Sequence, residues 1–323
     1  MTPARLLVLG AGGFLGSHVR AALRSAGWDD VALVSRSPGD GSAKHRHERW
    51  HRLDLSTAGR DDLARLLRKE RPDAVINCSG VTEGDAGRLV RGNVVLVADL
   101  LAAMAATLPG SRLVQVGSSA EYGAVPIRAI IAEDVPPNPV GMYGLTKLAG
   151  SELALAAGRA QEVDAVILRV FNPIGRGISA NTLPGWTVAA LRAALAAGER
   201  RIALGALDDH RDFVDADDVA DAICAAATAA TAAGPLGPRV LNVGSGRATR
   251  ARDLVTALAG VAGFEGEIAE DRPASTRSTS VPWQQADIAA IAELLDWRPR
   301  RELAQSVDAL WRGAKGVGAD QSA

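Results

Sequence analysis

The sequence predicts an α/β fold built on a doubly wound parallel sheet, and three observations predict it. Short apolar runs alternate with amphipathic stretches along the first half of the chain. A glycine-rich turn directly follows the first of those runs. Of the 323 residues, 47% are hydrophobic, enough to bury both faces of a sheet.

The elements follow in order. Leu6–Leu9 reads as the first strand, and a helix is expected over 14–26 after the glycine turn. A second strand is expected over 31–34, then a polar loop, then a short third strand over 52–55. A helix over 61–69 leads to a strand over 74–77, and a helix over 94–106 leads to a strand over 113–116. A further helix opens near Tyr143 and precedes a strand over 165–170. Strands that alternate with helices in this way form right-handed crossovers in a parallel sheet. After Phe171 the rhythm loosens, with Gly, Pro and Asn gathered over 172–185, 234–238 and 272–282. The expectation is a first domain over 1–171 and a smaller α/β C-terminal lobe over 172–323, built around loops and interleaved with the first.

Charge excludes some partners. The net charge is −1 with both signs mixed along the chain, which argues against nucleic acid and membrane surfaces. Cys78 and Cys224 sit in apolar stretches without metal-ligand spacing and read as reduced, buried thiols. The apolar run over 94–106 carries Asp99 and is too short to span a bilayer. The chain enters its first strand at once, so a cytoplasmic address is expected.

The turn reads Gly10-Ala-Gly-Gly13-Phe14-Leu15-Gly16. Glycines here permit a tight turn, let the backbone approach a pyrophosphate and allow the helix to pack on the strand. A turn placed between a first strand and a helix is the context that dinucleotide binding requires, so the first domain is of Rossmann type. An acid at the end of the second strand holds the 2′-hydroxyl of NAD. This chain has Ser35-Arg36-Ser37 there, and Arg36 suits a 2′-phosphate, so NADP(H) is favoured, with NAD(H) the alternative. Asp54 and Leu55 are placed at the adenine, and Ser79 and Gly80 beside the nicotinamide. The stretch 45–51 holds three histidines but no supporting carboxylate or thiol cluster; it reads as a solvated basic loop, with no metal site.

Tyr143-Gly-Leu-Thr-Lys147 puts a phenol and an ammonium at i and i+4 on one helix face. A neighbouring cation lowers a phenol's pKa into a useful range for proton transfer. Both residue types are scarce: the chain has two tyrosines, and Lys147 is one of four lysines among 36 basic residues. The preceding strand ends in Gly117-Ser118-Ser119-Ala-Glu-Tyr-Gly123, and a serine at that carboxyl end can hydrogen-bond a substrate carbonyl.

With these motifs in place, the chain resembles the extended short-chain dehydrogenase/reductases that act on nucleotide sugars, the NAD-dependent epimerase/dehydratase group. The resemblance extends through Asn93, Leu168-Arg-Val-Phe-Asn172-Pro-Ile-Gly175, Arg211-Asp-Phe213, Asp217-Asp-Val219, Leu241-Asn-Val-Gly-Ser-Gly246 and Trp297-Arg-Pro299. It implies an enzyme with catalytic Ser118, Tyr143 and Lys147, a C-terminal lobe gripping a nucleoside diphosphate sugar, and a homodimer through helices beginning near Arg88 and Tyr143. It places Ser119, Asn172, Arg211 and Arg277 at the substrate, with Arg272 a second candidate for the last role and Trp186 in the substrate loop. The motifs look most like GDP-4-keto-6-deoxymannose reductases, which implies NADP(H)-dependent reduction of a keto group on a nucleotide-linked deoxysugar. The alternatives are an NAD-dependent 4-epimerase, a 4,6-dehydratase and a non-catalytic dinucleotide sensor. The dehydratase acid falls at Ala120, although Glu121 is one step away.

Overall fold

Leu6 and Val8 point to one side of their strand and Leu7 and Leu9 to the other, and all four are buried. That two-sided burial is what a central parallel strand requires. Strands β1 (Leu6–Leu9), β2 (Val31–Ser35), β3 (Glu48–Arg52), β4 (Ala74–Asn77), β5 (Arg112–Ser118) and β6 (Asp164–Val170) join one parallel sheet. Its order is β10-β6-β5-β4-β1-β2-β3, in which β10 (Arg239–Val243) comes from the second half of the chain. The structure, a computed structural model, describes residues 5–37, 48–229, 236–272 and 281–313.

Two helical layers cover the sheet. On one face, α1 (Phe14–Ser25) and α6 (Ala216–Thr228) pack against Leu6, Val8, Ile76, Val114 and Leu168. On the other, α2 (Arg60–Glu70), α3 (Ala86–Thr107) and α4 (Met142–Arg159) pack against Leu7, Leu9, Val75 and Ile167. A second core, built on Ile174, Leu191, Leu204, Leu254 and Leu310, lies under α5 (Leu183–Ala197), α7 (Ala251–Ala262) and α9 (Leu303–Gly313). Here β7 (Asn172–Ile174), β9 (His210–Asp215) and β11 (Ala248–Arg250) form a small sheet, and β8 (Arg201–Ala203) pairs with β12 (Glu267–Ala269). A short α8 (Ala289–Leu295) packs beside β10.

Three expectations need correction. The third strand lies over Glu48–Arg52, not 52–55, so part of the histidine-rich stretch read as a loop is an edge strand; residues 45–47 lie outside the described residues. The strand is polar because its side chains pair at the sheet edge: Glu48 with Arg20 (2.8 Å), and Arg49 (2.8 Å) and His51 (2.9 Å) with Glu70. The second half is not built around loops, since α5 alone spans 15 residues. Finally, α3 is one helix of 22 residues, long and apolar enough by composition to cross a membrane, where the sequence suggested a run too short. Half of its apolar window is buried, and Leu96, Val97, Leu100 and Met104 are core residues, as in the core helix of a folded domain.

Candidate active site

The site forms at the carboxyl ends of β1, β4 and β5, where a doubly wound sheet reverses its order. At β1, Gly10 takes φ +75° and its carbonyl accepts from the N–H of Gly13 (2.9 Å). A Cβ at Gly16 would lie 2.1 Å from that carbonyl oxygen, so only glycine lets α1 start this close to the strand. Gly13 caps α1 without a side-chain hydrogen bond, and Phe14 and Leu15 form its first turn. A bare helix start behind a turn that backbone atoms already fill fits a pyrophosphate. Ser35 donates to the carbonyl of Ser37 (3.1 Å), and Arg36 is exposed beside them. Asp54 is held below the usual carboxylate range, first by hydrogen bonds from the Ser56 hydroxyl (2.7 Å) and main chain (2.9 Å), with Arg36 adding to the effect. The loops after β2 and β3 therefore bring Arg36 and Asp54 within electrostatic reach, and Leu55 packs against the adjoining core.

At β4, Asn77 accepts from Ser79 and bonds Gln115 (2.8 Å), which fixes the loop through Ser79 and Gly80. Asn93 sits in a π-type turn, Arg91–Val95, inside α3. Its amide pairs both ways with Val81 (2.8 Å each) and donates to the Thr146 hydroxyl (3.0 Å), tying this loop to α4. Thr146 lies between Tyr143 and Lys147, so one buried asparagine sets the spacing between the loop after β4 and the Tyr–Lys helix.

The face of α4 is as the sequence requires. Tyr143 is half-buried, and Lys147 is buried with Nζ donating to the carbonyl of Val116 (2.5 Å) at the end of β5. Burial pushes the Lys147 pKa down, against the charge of Glu121 and the influence of Cys78. Burial likewise pushes the Cys78 thiol up to about 12, so it stays protonated and is no nucleophile. The Ser118 hydroxyl accepts from the N–H of Ala120 (3.2 Å) and stands at the same strand end. Glu121 does not enter the cleft: it has no exposed surface and is paired with Arg169 (2.8 Å).

On the substrate side, Ser119 accepts from Gln284 Nε2 (3.2 Å), and Asn172 donates to Gln284 Oε1 (3.0 Å) and to the carbonyl of Asp212 (3.2 Å). Gln284 thus bridges two expected substrate residues, and sequence reasoning missed it. Trp283 beside it donates to the carbonyl of Ala129 (2.9 Å) and stacks on His210 at 4.9 Å, which holds this segment in place. Arg211 lies two residues before Phe213, the partner of Asn172 across β7 and β9. Its guanidinium already donates to the His210 carbonyl (2.9 Å) and to Asp209 (3.0 Å), and burial pushes its pKa down. Arg272 stacks over the Trp186 ring at 4.4 Å, at the start of α5; Arg277 lies outside the described residues. Asn181 donates to Glu83 (2.6 Å), linking the loop before α5 to the loop after β4. Among the described residues, no group of histidine, cysteine and carboxylate side chains could hold a metal ion.

The chain is similar to known proteins in sequence and in fold. The model of the NAD dependent epimerase/dehydratase family matches residues 6–244. A dTDP-6-deoxy-L-talose 4-dehydrogenase (NAD(P)(+)) from Kitasatospora kifunensis is 37% identical over 96% of this chain and 95% of its own. A UDP-glucose 4-epimerase from Azospirillum brasilense is 30% identical over 92% of this chain and 88% of its own. The solved structure of RMD from Pseudomonas aeruginosa complexed with NADPH superposes with a TM-score of 0.79 at 29% identity, covering 96% of this chain and 97% of that one.

Proposed function

The chain belongs to the NAD-dependent epimerase/dehydratase family, and from that premise we propose that it reduces the keto group of a nucleotide-linked deoxysugar, with NADP(H) as the favoured dinucleotide. The observation that carries the reading is the Tyr143–Lys147 pair on one face of α4, with Lys147 bonded to the strand end that presents Ser118. The bound dinucleotide supplies the hydride. Tyr143 gives the proton to the nascent alkoxide. Lys147 holds the nicotinamide ribose and keeps the phenol acidic. Ser118 polarises the keto oxygen, and Ser119 can serve the same oxygen one residue on.

Binding falls to the two ends of the cleft. Gly10, Gly13, Phe14, Leu15 and Gly16 hold the pyrophosphate; Arg36, Asp54 and Leu55 hold the adenosine; Ser79 and Gly80 hold the nicotinamide. Ser119, Asn172, Arg211 and Arg277 contact the nucleoside diphosphate sugar, joined by Gln284. The same reading divides the chain into a cofactor domain over 1–171 and a substrate lobe over 172–323, interleaved through α6 and β10, which return to the first sheet. It also expects a homodimer through α3 and α4, supported by the exposed apolar Val90 and Val95 on one helix and Leu145 and Leu153 on the other.

Dehydration is the weaker reading because Ala120 occupies the place of the eliminating acid and Glu121 is closed off by Arg169. A non-catalytic sensor has no use for a Tyr–Lys pair built in this way. An NAD-dependent 4-epimerase remains as second reading, favoured by the epimerase relative that aligns along most of the chain. A steady-state assay separates the two. Incubation with nucleotide-linked 4-keto-6-deoxysugars is expected to consume NADPH, and Tyr143→Phe to lower kcat by about a thousandfold. Interconversion of sugars without NADPH consumption would refute the reductase reading.

A further inference from the structure

Among the buried acids that the roles above leave without a task, one lies at the strand end that carries Ser118. Glu121 ends the single turn Ser119–Glu121 and is wholly buried. Its Oε1 accepts from the main-chain N–H of Ser118 (2.9 Å) and from the Ser151 hydroxyl (3.0 Å). Its Oε2 accepts from Nε of Arg169 on β6 (2.8 Å). A buried ion pair is weak evidence for stability, since an apolar pair of similar volume often serves as well. The placement of this one is more informative. Ser151 lies one helical turn beyond Lys147, which lies one turn beyond Tyr143, so the three side chains form a ladder on one face of α4. Glu121 holds the last rung of that ladder and the backbone of Ser118 at once. Lys147 grips the same strand end two residues earlier, at the carbonyl of Val116. Gly117 lies between the two grips, and a Cβ there would stand 2.8 Å from Glu121 Oε1.

We propose that Glu121 is the positioning residue of the proton-transfer set, fixing the main chain that carries Ser118 and supplying the negative charge that holds the Lys147 ammonium beside Tyr143. The inference rests on the roles proposed for Ser118, Tyr143 and Lys147. The ionisable groups involved are few. Arg169 from β6 and Lys147 from α4 face Glu121; Cys78, a neutral thiol at the end of β4, faces Lys147; Tyr122 faces Arg169, and Glu133 faces Tyr122. Among the charges around Lys147, Glu121 is the one that most opposes the effect of its burial. Removing that negative charge favours the deprotonated form of Lys147, and a neutral Lys147 no longer keeps the phenol acidic, so the Lys147 titration moves to lower pH and that of Tyr143 to higher pH.

The chain offers a direct readout. Tyr122 and Tyr143 are its only tyrosines, and burial pushes Tyr122 up to about 12. Tyrosine-selective carbon NMR on the full chain with NADP⁺ bound therefore has two signals to separate, and Tyr143→Phe assigns that of Tyr143. Glu121→Gln is expected to move that titration up by about one unit, with the alkaline limb of kcat/KM for keto reduction moving alongside. Glu121→Gln leaves Arg169 an unpaired buried cation, so Glu121→Gln/Arg169→Met provides a second variant with both charges removed. The same upward direction is expected there, because Glu121 and not Arg169 acts on Lys147. Glu121→Asp, which keeps the charge and shortens the reach, is expected to titrate close to wild type with a reduced kcat. An unmoved Tyr143 titration in both charge-removing variants, with Tyr143→Phe inactive, sinks this inference alone. Full turnover by Tyr143→Phe sinks the proposed roles and this inference with them.

Discussion

Replacing Gly16 by alanine tests how the dinucleotide turn works. The added Cβ would stand 2.1 Å from the Gly10 carbonyl oxygen, 2.8 Å from its carbon and 2.9 Å from Ala11 Cα. All three are backbone atoms, so no side chain can swing aside. Ordinary contact requires α1 to retreat by about 1 Å. Overpacking of this kind costs about 1–3 kcal/mol of stability, and a displacement of about 1 Å at a binding element costs on the order of a hundredfold. Gly16→Ala is therefore expected to raise the NADPH Kd about a hundredfold, read by nucleotide fluorescence, and to lower the Tm. Two controls calibrate the result. Gly13→Ala, whose Cβ would lie 3.2 Å from the same oxygen, should weaken binding only a few-fold. Gly260→Ala, inside α7 with nothing within 4 Å of its Cβ, should leave binding unchanged and add about 0.5–1 kcal/mol. NADPH binding by Gly16→Ala within about threefold of wild type would show that the close approach of α1 to β1 is not what shapes the site.

Three further outcomes follow from the geometry. Arg36→Ala should raise the KM for NADPH by about 10- to 100-fold, the loss of a charge-assisted contact of about 1.5–3 kcal/mol, while the KM for NADH stays near its original value. Gln284→Leu leaves Ser119 and Asn172 each short of a partner, so the sugar-nucleotide KM should rise about tenfold or more, with dinucleotide Kd unchanged by the same titration. His18→Gln tests the contact between α1 and α6: His18 Nδ1 meets Asp217 at 2.5 Å, and that hydrogen bond is the largest cause holding Asp217 below the usual carboxylate range. A depressed folded pKa stabilises above the unfolded value and is lost as pH falls through the folded one. Asp217 is half exposed, so the wild type should exceed His18→Gln by only about 0.5–1 kcal/mol at neutral pH after screening. In urea unfolding, that part of the gap should shrink as pH falls from the ordinary carboxylate range through the lowered Asp217 pKa.

Most of the fold was legible because its signals are local. Leu6–Leu9 and Ala74–Asn77 end where the sequence puts them, since each is a short apolar run bounded by turn residues. The glycine turn and the Tyr143–Lys147 spacing were legible for the same reason. The edge strand Glu48–Arg52 was not: it buries little and is held by ion pairs to Arg20, Asp30 and Glu70, which composition cannot distinguish from a solvated loop. The C-terminal helices were misread because their glycines and prolines sit at the ends. Gly198 and Gly263 are left-handed C-caps, and Pro184 lies in the first turn of α5. Gln284 carries no local signal at all, because its meaning comes from Ser119, 165 residues away in the chain. Glu121 was visible as an acid, but its burial depends on Arg169, 48 residues away in the chain, and no local signal carries that contact.

The most direct test of the central claim follows the hydride itself. NADPH deuterated at the transferring position of the nicotinamide is incubated with the chain and a nucleotide-linked 4-keto-6-deoxysugar, and the product is weighed by mass spectrometry. The reductase account predicts one deuterium per product sugar, with one dinucleotide oxidised for each. A sugar product that gains no deuterium, formed while the NADPH pool stays constant, would contradict it and point to internal recycling by an epimerase.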